Sequence, residues 1–577
     1  MKLIDAVDIC RRAVREPAQE LKVFLACGFT PLHLSTFLSA ALRLLRPDDK
    51  IVVESGLFGD LAGNIIRAHD SAADSAVVAI EWSDLDPRLG IRTLGGWRPD
   101  AIGDIVYSAT EAAARIEGGV RMLASRTPTV LCLPSLPLPP LFVTRPAQAG
   151  LLEMNLRKAV ASVAASLSEC SGVQVASPGL LSEMSPPGER YDVKSDVLSG
   201  FPYSLRHASA VGELFANLIH KPEPKKGLIT DLDDTIWSGI VGEDGVDGIS
   251  WSLERGHMHG LYQQFAAALA GAGVLIAVAS KNDPAIVMRA FDRSDLLLSK
   301  EDVFPVETGW SRKSDSIQRI LKAWNIGPDA VVFVDDSPME VAEVKSAFPE
   351  MECLVFPKDD YKAIWDLLKH LRDVFGKPVV TGDDSIRLQS LRSAAGLKDT
   401  VGTDGHSVDH FLKECDARLV IERVEASDAR AFELVNKTNQ FNLNGKRIGE
   451  VEWRRMVGEP ASLAFSVCYR DKYGPLGKVA VLLGRRTGRR CSVHAWVMSC
   501  RAFSRRIEHQ CLKYLFESHG VDEIEFDYDS TARNGPLREF LAELSGRAPA
   551  PSMIVTKREF EARVPLLFHR IEARNYV

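Results

Sequence analysis

Short apolar runs separated by helix-length amphipathic stretches recur along the first two thirds of this chain, and that alternation points to layered α/β architecture with parallel sheets. The first series is LKVFLACG at 21–28, IVVES at 51–55, AVVAIEW at 76–82 and TVLCLP at 129–134. Pro134, Pro137, Pro139 and Pro140 then break the pattern and make a loop. A polar, Pro-containing join, HKPEPKKG at 220–227, precedes a second series: GLITD at 227–231, VLIAVAS at 274–280 and VVFVDD at 331–336. Helix starts are marked by Asp283-Pro284 and Ser337-Pro338, each an N-cap residue before a proline at the first helical position. Ser337 and Glu340 fit a capping box. Ile317, Ile320, Leu321 and Trp324 form one apolar helix face.

From residue 416 the pattern changes. A strand-like ARLVIERV and a helix-like ARAFELVNKT precede strands around 463–470, 478–484 and 491–499, a helix over 505–518 and a strand over 522–528. The expected division is an α/β domain over 1–222, a second over 223–378, a helical connector over 379–415 and an α+β domain over 416–577. The net charge of −7 over 577 residues is too mild to imply a nucleic-acid or membrane partner. No apolar stretch approaches the ~18 residues of a membrane span, and the first residues lack the apolar core of a signal peptide. The ten cysteines are scattered without CxxC pairs, as expected of reduced thiols in a cytoplasmic protein.

The polar residues that end the second series carry the chemistry. Asp231, Asp233 and Thr235 follow the first strand, Ser280 ends the second, Asp335 and Asp336 end the third, and Lys313 starts a helix between them. Ligands of open α/β sheets bind at the carboxyl ends of strands, so these groups should converge. A carboxylate can attack phosphorus to give an aspartyl phosphate, the role assigned to Asp231. An acid two residues on, Asp233, can protonate the leaving oxygen and then activate water. Asp231, Asp233, Asp335 and Asp336 form a hard oxygen ligand set suited to Mg²⁺. Ser280, Lys313 and Thr235 would hold phosphate oxygens.

This constellation resembles that of the haloacid dehalogenase (HAD) superfamily of phosphatases. ITDLDDTIWSGIVGEDG, WSRKSDSIQRI, FVDDSPMEVAEV, VNKTNQFNLNGKR and MSCRAFSRRIE together resemble its FkbH-like subfamily over most of the chain. The resemblance implies a Rossmann-like HAD domain at the centre and an N-acetyltransferase-like (GNAT) α+β domain at the C-terminus. It also implies an activity: a three-carbon unit taken from 1,3-bisphosphoglycerate, freed of phosphate and loaded as glyceryl onto the phosphopantetheine arm of an acyl carrier protein in polyketide-type biosynthesis. Cys500 matches the family's thiol nucleophile. Arg501, Arg505 and Arg506, with Arg485, Arg486, Arg489 and Arg490, could favour its thiolate or attract an acidic carrier. Asn436, Asn439, Gln440 and Asn442 would bind the glyceryl hydroxyls or a pantetheine amide, or else form a helix C-terminus and turn. Asn534 falls near the expected cofactor arm. His494 is six residues from Cys500, about 20 Å along a strand, too far to act as its base. The segment from Arg501 to Arg506 departs from the R-x-x-G-x-G pyrophosphate loop in lacking both glycines, which argues against acetyl-CoA and leaves open a different acyl group.

LACGFTPLHL resembles the opening block of SGNH hydrolases, with Gly28 at the position of the nucleophilic serine. No Asp-x-x-His accompanies His207, so the resemblance implies a hydrolase-like domain without esterase activity, with Cys27 a distant alternative nucleophile. Beside the glyceryl-loading reading stand a simple Mg²⁺-dependent phosphatase of a small phosphoester and a non-enzymatic carrier-docking scaffold.

Overall fold

The protein is described by a computed structural model that covers residues 1–577 apart from 13–17, 142–143, 146, 171, 221, 223, 378–408, 410–411, 439–440, 460, 473, 500–501, 504, 532–533 and 575–577. The chain divides into two compact units, Met1–Glu223 and Pro224–Val577.

The first unit is built on five parallel strands: β1 (Glu20–Cys27), β2 (Lys50–Ser55), β3 (Ser75–Ala79), β4 (Thr129–Cys132) and β5 (Val173–Val175), in the order β2-β1-β3-β4-β5. The central strands β1, β3 and β4 are largely apolar because both faces are covered, whereas the edge strand β2 has no buried residue. Val23, Leu25, Val77 and Ala79 pack on one side with the helices Leu32–Leu45 and Leu205–His220. Phe24, Ala26, Ala76 and Val78 pack on the other with Leu61–Asp70, Ile102–Ala124 and Leu151–Ser168. This is the 2-1-3-4-5 doubly wound order, whose switch point lies between β1 and β3.

The second unit carries two sheets. The first has five parallel strands: β6 (Gly227–Thr230), β7 (Leu275–Ser280), β8 (Val303–Thr308), β9 (Val331–Asp335) and β10 (Glu352–Val355), ordered β10-β9-β6-β7-β8. Leu228, Ile276, Val278, Val332 and Val334 face the helices His257–Gly271 and Tyr361–Phe375. Ile229, Leu275, Ala277, Val331 and Phe333 face Lys313–Trp324, whose Ile317, Ile320, Leu321 and Trp324 are all buried, as the periodicity requires. Gly227 is fixed by that packing, since a Cβ there would lie 2.4 Å from the Trp324 ring. The order reverses between β6 and β9, which places Asp231 and Asp335 on either side of the switch point.

The second sheet is mixed and has eight strands. β11 (Arg418–Arg423), β13 (Ser462–Asp471), β14 (Gly474–Thr487), β15 (Arg490–Met498), β16 (Glu523–Phe526), β17 (Met553–Thr556) and β18 (Arg570–Arg574) run in the order β17-β16-β15-β14-β13-β11-β18, and β12 (Phe441–Asn442) pairs with β15. The architecture is thus α/β multidomain, with two parallel five-stranded sheets and one mixed sheet. Among the described residues no helix is long and apolar enough to cross a membrane.

Candidate active site

The carboxyl ends of β6, β7 and β9 bring five of the expected groups together. The Lys313 ammonium lies 2.5 Å from Asp231 Oδ1, 2.9 Å from Asp335 Oδ2 and 2.6 Å from the Ala279 carbonyl. Lys313 is the first residue of its helix and is 3% exposed, so its charge is held by those two carboxylates and not by water. Burial opposes that charge, but the Asp231 and Asp335 carboxylates outweigh it and raise the lysine above its ordinary range. Asp335 is 1% exposed; burial, with the adjacent Asp231 charge, pushes its carboxyl up to about 6. Its Oδ1 accepts the Ser337 N–H at 2.8 Å, and its buried Oδ2 faces the Lys313 ammonium. Ser337 cannot then complete the expected capping box. Its Oγ accepts the Glu340 N–H, but its own N–H is held by Asp335, and the Glu340 carboxylate pairs with Lys281.

Asp231, Asp335 and Asp336 each place one carboxylate oxygen within 4.8 Å of the others. Three acids around one point suit a hard divalent cation bound through oxygen. Asp233 does not join them, contrary to its expected place in the ligand set. Its Oδ1 accepts the Trp237 indole N–H at 2.8 Å and the Val241 N–H at 3.0 Å, and its Oδ2 accepts the Asn282 amide at 2.9 Å. These donors turn the carboxylate toward the 237–241 loop. That loop closes through Asp234, which adopts φ +51° while its Oδ1 accepts the Gly239 N–H.

Ser280 ends β7 with its Oγ 3.0 Å from the same Asn282 nitrogen, so one buried amide joins the candidate acid to the candidate phosphate hydroxyl. Thr235 is fully buried, and its Oγ1 accepts the Asp336 N–H, which fits it for holding the β9 turn and not for contacting substrate. Lys358 bridges Asp234 and Asp336 at 2.7 and 2.9 Å. Asn282, Trp237 and Lys358 were not among the expected site residues. Asn282 lay two positions beyond Ser280 in the same strand-end cluster, while Lys358 comes from a loop after a strand that the sequence did not disclose.

Of the residues expected to handle an acyl group, Cys500, Arg501, Asn439 and Gln440 lie outside the described residues. Asn442 is committed locally: its amide donates to Thr438 O and its Oδ1 accepts from the Asn444 and Gly445 N–H groups. Asn436 bonds the Phe432 and Ile448 main chain, and Asn534 bonds Thr531, Asn442 and Asp529. These geometries match the helix-end and turn alternative. Arg489 and Arg490 pair with Asp522 and Glu523 at the start of β15, about 26 Å of strand from Met498, and so are not placed to favour a thiolate near residue 500. Arg505 is buried against Asp471 and the Tyr469 ring, and Arg506 pairs with Asp409. His494 is exposed on β15.

In the first unit Gly28 follows β1, and a Cβ there would lie 1.7 Å from Asp84 Oδ1, so the Asp84 carboxylate occupies the space a side chain would take at the position aligned with a nucleophilic serine. His207 is fully buried between Ser135 and Ser185, and burial pushes its imidazole down to about 3. Cys27 is buried, donates to Phe29 O, and is raised by burial well above the ordinary thiol range, which leaves it inert.

No family model matches this chain, and no curated protein matches it by sequence. A solved structure does: the N-terminal part of the protein BF1531 from Bacteroides fragilis, described as containing a phosphatase domain and complexed with Mg. The match covers 66% of this chain and 100% of that one at a TM-score of 0.51 and 19% identity. This chain shares that fold. A second match, the S. aureus MnaA–UDP structure, has a TM-score of 0.16 and 9% identity over 67% of this chain and 98% of that one, too low to bear on the fold.

Proposed function

We propose that the second unit houses a Mg²⁺-dependent phosphatase centre that works through an aspartyl phosphate. The observation that carries this reading is the convergence of Asp231, Asp335 and Lys313 at one switch point, with Ser280 and Asp233 joined beside them through Asn282. The fold shared with a phosphatase-domain protein crystallised with Mg supports it.

An Asp231 carboxylate oxygen attacks phosphorus and forms an O–P bond as the ester or anhydride oxygen leaves. Asp233, held by Trp237, Val241 and Asn282, gives that oxygen a proton. In the second half-reaction it takes a proton from water, whose oxygen attacks phosphorus, releasing phosphate and restoring Asp231. Lys313 and Ser280 hold the phosphoryl oxygens and offset their charge. Asp231, Asp335 and Asp336 are the groups that would hold Mg²⁺, which when bound neutralises charge on the transferring group. Phosphate release from p-nitrophenyl phosphate that requires Mg²⁺ and disappears in Asp231→Asn is the expected result. Equal release by that variant would refute the centre.

The finer reading is that the centre serves acyl loading: the Cys500 thiolate attacks the acyl carbon of 1,3-bisphosphoglycerate and displaces phosphate, the bound phosphoglyceryl thioester loses its remaining phosphate by hydrolysis, and the glyceryl group moves to the phosphopantetheine thiol of an acyl carrier protein, freeing Cys500. The long FkbH-like strings around Asp231, Lys313, Asp335 and Cys500 support this reading. Intact-protein mass spectrometry after mixing with 1,3-bisphosphoglycerate and Mg²⁺ tests it. The expected product is a glyceryl thioester, absent in Cys500→Ala and still phosphorylated in Asp231→Asn. Phosphate release without any adduct would leave a simple small-molecule phosphatase or a different acyl donor.

A further inference from the structure

The first unit contains a cleft of about 810 Å³, within the range of small-molecule sites. It is lined by the segments that leave successive strand ends: Gly28 and Phe29 after β1, 58–62 after β2, 81–84 after β3 and 136–140 after β4. That is the switch point of the sheet, where doubly wound folds bind ligands. The phosphoryl-transfer reading does not use it.

The groups in this cleft differ in how far they are satisfied. Both Glu81 oxygens accept hydrogen bonds, from Ser135, Leu136 and Tyr203. Asp60 is held by the Gly63 N–H and Arg67. Asp84 is different: Oδ2 accepts the Glu81 N–H at 2.8 Å, while Oδ1 lies over Gly28 with no donor against it among the described residues. Burial, reinforced by the Glu81 charge, pushes the Asp84 carboxyl up to about 7, as befits a carboxylate without a counter-ion. Of the two arginines in the cleft, Arg92 donates to the Asp196 main chain and lies 5.1 Å over the Phe58 ring, and Arg115 is exposed on the helix Ile102–Ala124. Phe58 and Trp97, also in the lining, are 55% and 41% exposed, a large aromatic surface for a solvated face. A carboxylate oxygen without a protein donor, in a cleft that also exposes the Trp97 indole, is complementary to an organic cation, which gains both a charge-assisted hydrogen bond and cation–π attraction.

We propose that this cleft is a non-hydrolytic binding site for a small organic ammonium compound, its cationic head on Asp84 and its apolar body against Trp97. Glycine at residue 28 supplies no nucleophile, which leaves recognition alone.

Titration calorimetry and thermal shift with phenethylamine as probe test this on the full chain, with 3-phenylpropionate as the matched anion. We expect phenethylamine to bind and raise Tm, 3-phenylpropionate to do neither, and Asp84→Asn to weaken phenethylamine binding about tenfold or more, as loss of a charged hydrogen bond does. Trp97→Ala, which leaves Asp84 in place, should weaken it several-fold. No binding of the amine, equal binding by Asp84→Asn and Trp97→Ala, or preference for the carboxylate would overturn the proposal.

Discussion

The Asn282 side-chain amide donates to Asp233 Oδ2 at 2.9 Å, and the same nitrogen lies 3.0 Å from Ser280 Oγ. One buried residue thereby fixes the Asp233 carboxylate relative to the Ser280 hydroxyl, the proposed acid and phosphate-binding groups. Asn282→Ala should lower kcat about tenfold on an alkyl phosphate, the size expected for a hydrogen bond to a charged group. The loss on p-nitrophenyl phosphate should be smaller, because nitrophenolate leaves with little help from a proton. A Brønsted comparison across leaving groups checks this; equal losses on every ester would show that Asn282 does not act through Asp233.

Lys313 neutralises two buried carboxylates, so its removal leaves Asp231 and Asp335 facing each other unpaired. Lys313→Met should cost roughly 3–5 kcal/mol of stability, typical of breaking a buried ion pair. Added Mg²⁺ should restore part of that loss, because a cation that binds only the folded acids stabilises the fold. Denaturant unfolding with Mg²⁺ and with chelator measures both effects.

Lys358 is a half-exposed bridge between Asp234 and Asp336. Lys358→Met should cost no more than about 1 kcal/mol, in keeping with solvated ion pairs. It should nevertheless lower the Mg²⁺ concentration for half-maximal activity several-fold, since it frees Asp336 and removes a nearby positive charge. Unchanged Mg²⁺ dependence would mean that Asp336 is not part of the metal set.

Asp84 holds its proton more tightly in the fold, near 7, than in the unfolded chain, near 3.8. Its ionisation therefore removes stability as the pH rises from about 4 through 7, and the loss is complete above that. Asp84→Asn, which stays neutral, should match wild type in Tm near pH 4 and exceed it increasingly up to pH 7. The gap should then level off, at an amount on the order of a few kcal/mol. A flat difference across that range would place Asp84 in a well-solvated or paired environment.

Much of this was legible in the sequence, for physical reasons that differ by region. β1, β3, β6, β7 and β9 were readable because sheets covered on both faces demand unbroken apolar runs. That Asp231, Ser280 and Asp335 would lie together was readable because they follow or end strands of one sheet, and Lys313 joins them from the start of a helix. β5, β8 and β10 were missed: the three-residue β5 and the half-buried β8 and β10 carry little apolar signal. Asn282 and Lys358 were hidden because their roles depend on partners 49 and 124 residues away. Asn436, Asn442 and Asn534 drew a functional reading from their motif, yet each satisfies main-chain groups that its own turn leaves open. Likewise the position of Asp84 over Gly28 is a contact across 56 residues of chain that no local pattern encodes.

The central claim is that Asp231 carries the phosphoryl group. Turnover with Mg²⁺ and a phosphoester, quenched with borohydride and followed by peptide mass spectrometry, tests it directly, because borohydride reduces an aspartyl phosphate to homoserine. We expect homoserine at position 231 in wild type, at higher occupancy in Asp233→Asn if the second half-reaction slows, and none without substrate. Phosphate release with residue 231 recovered only as aspartate, or homoserine found at Asp335 instead, would contradict the account.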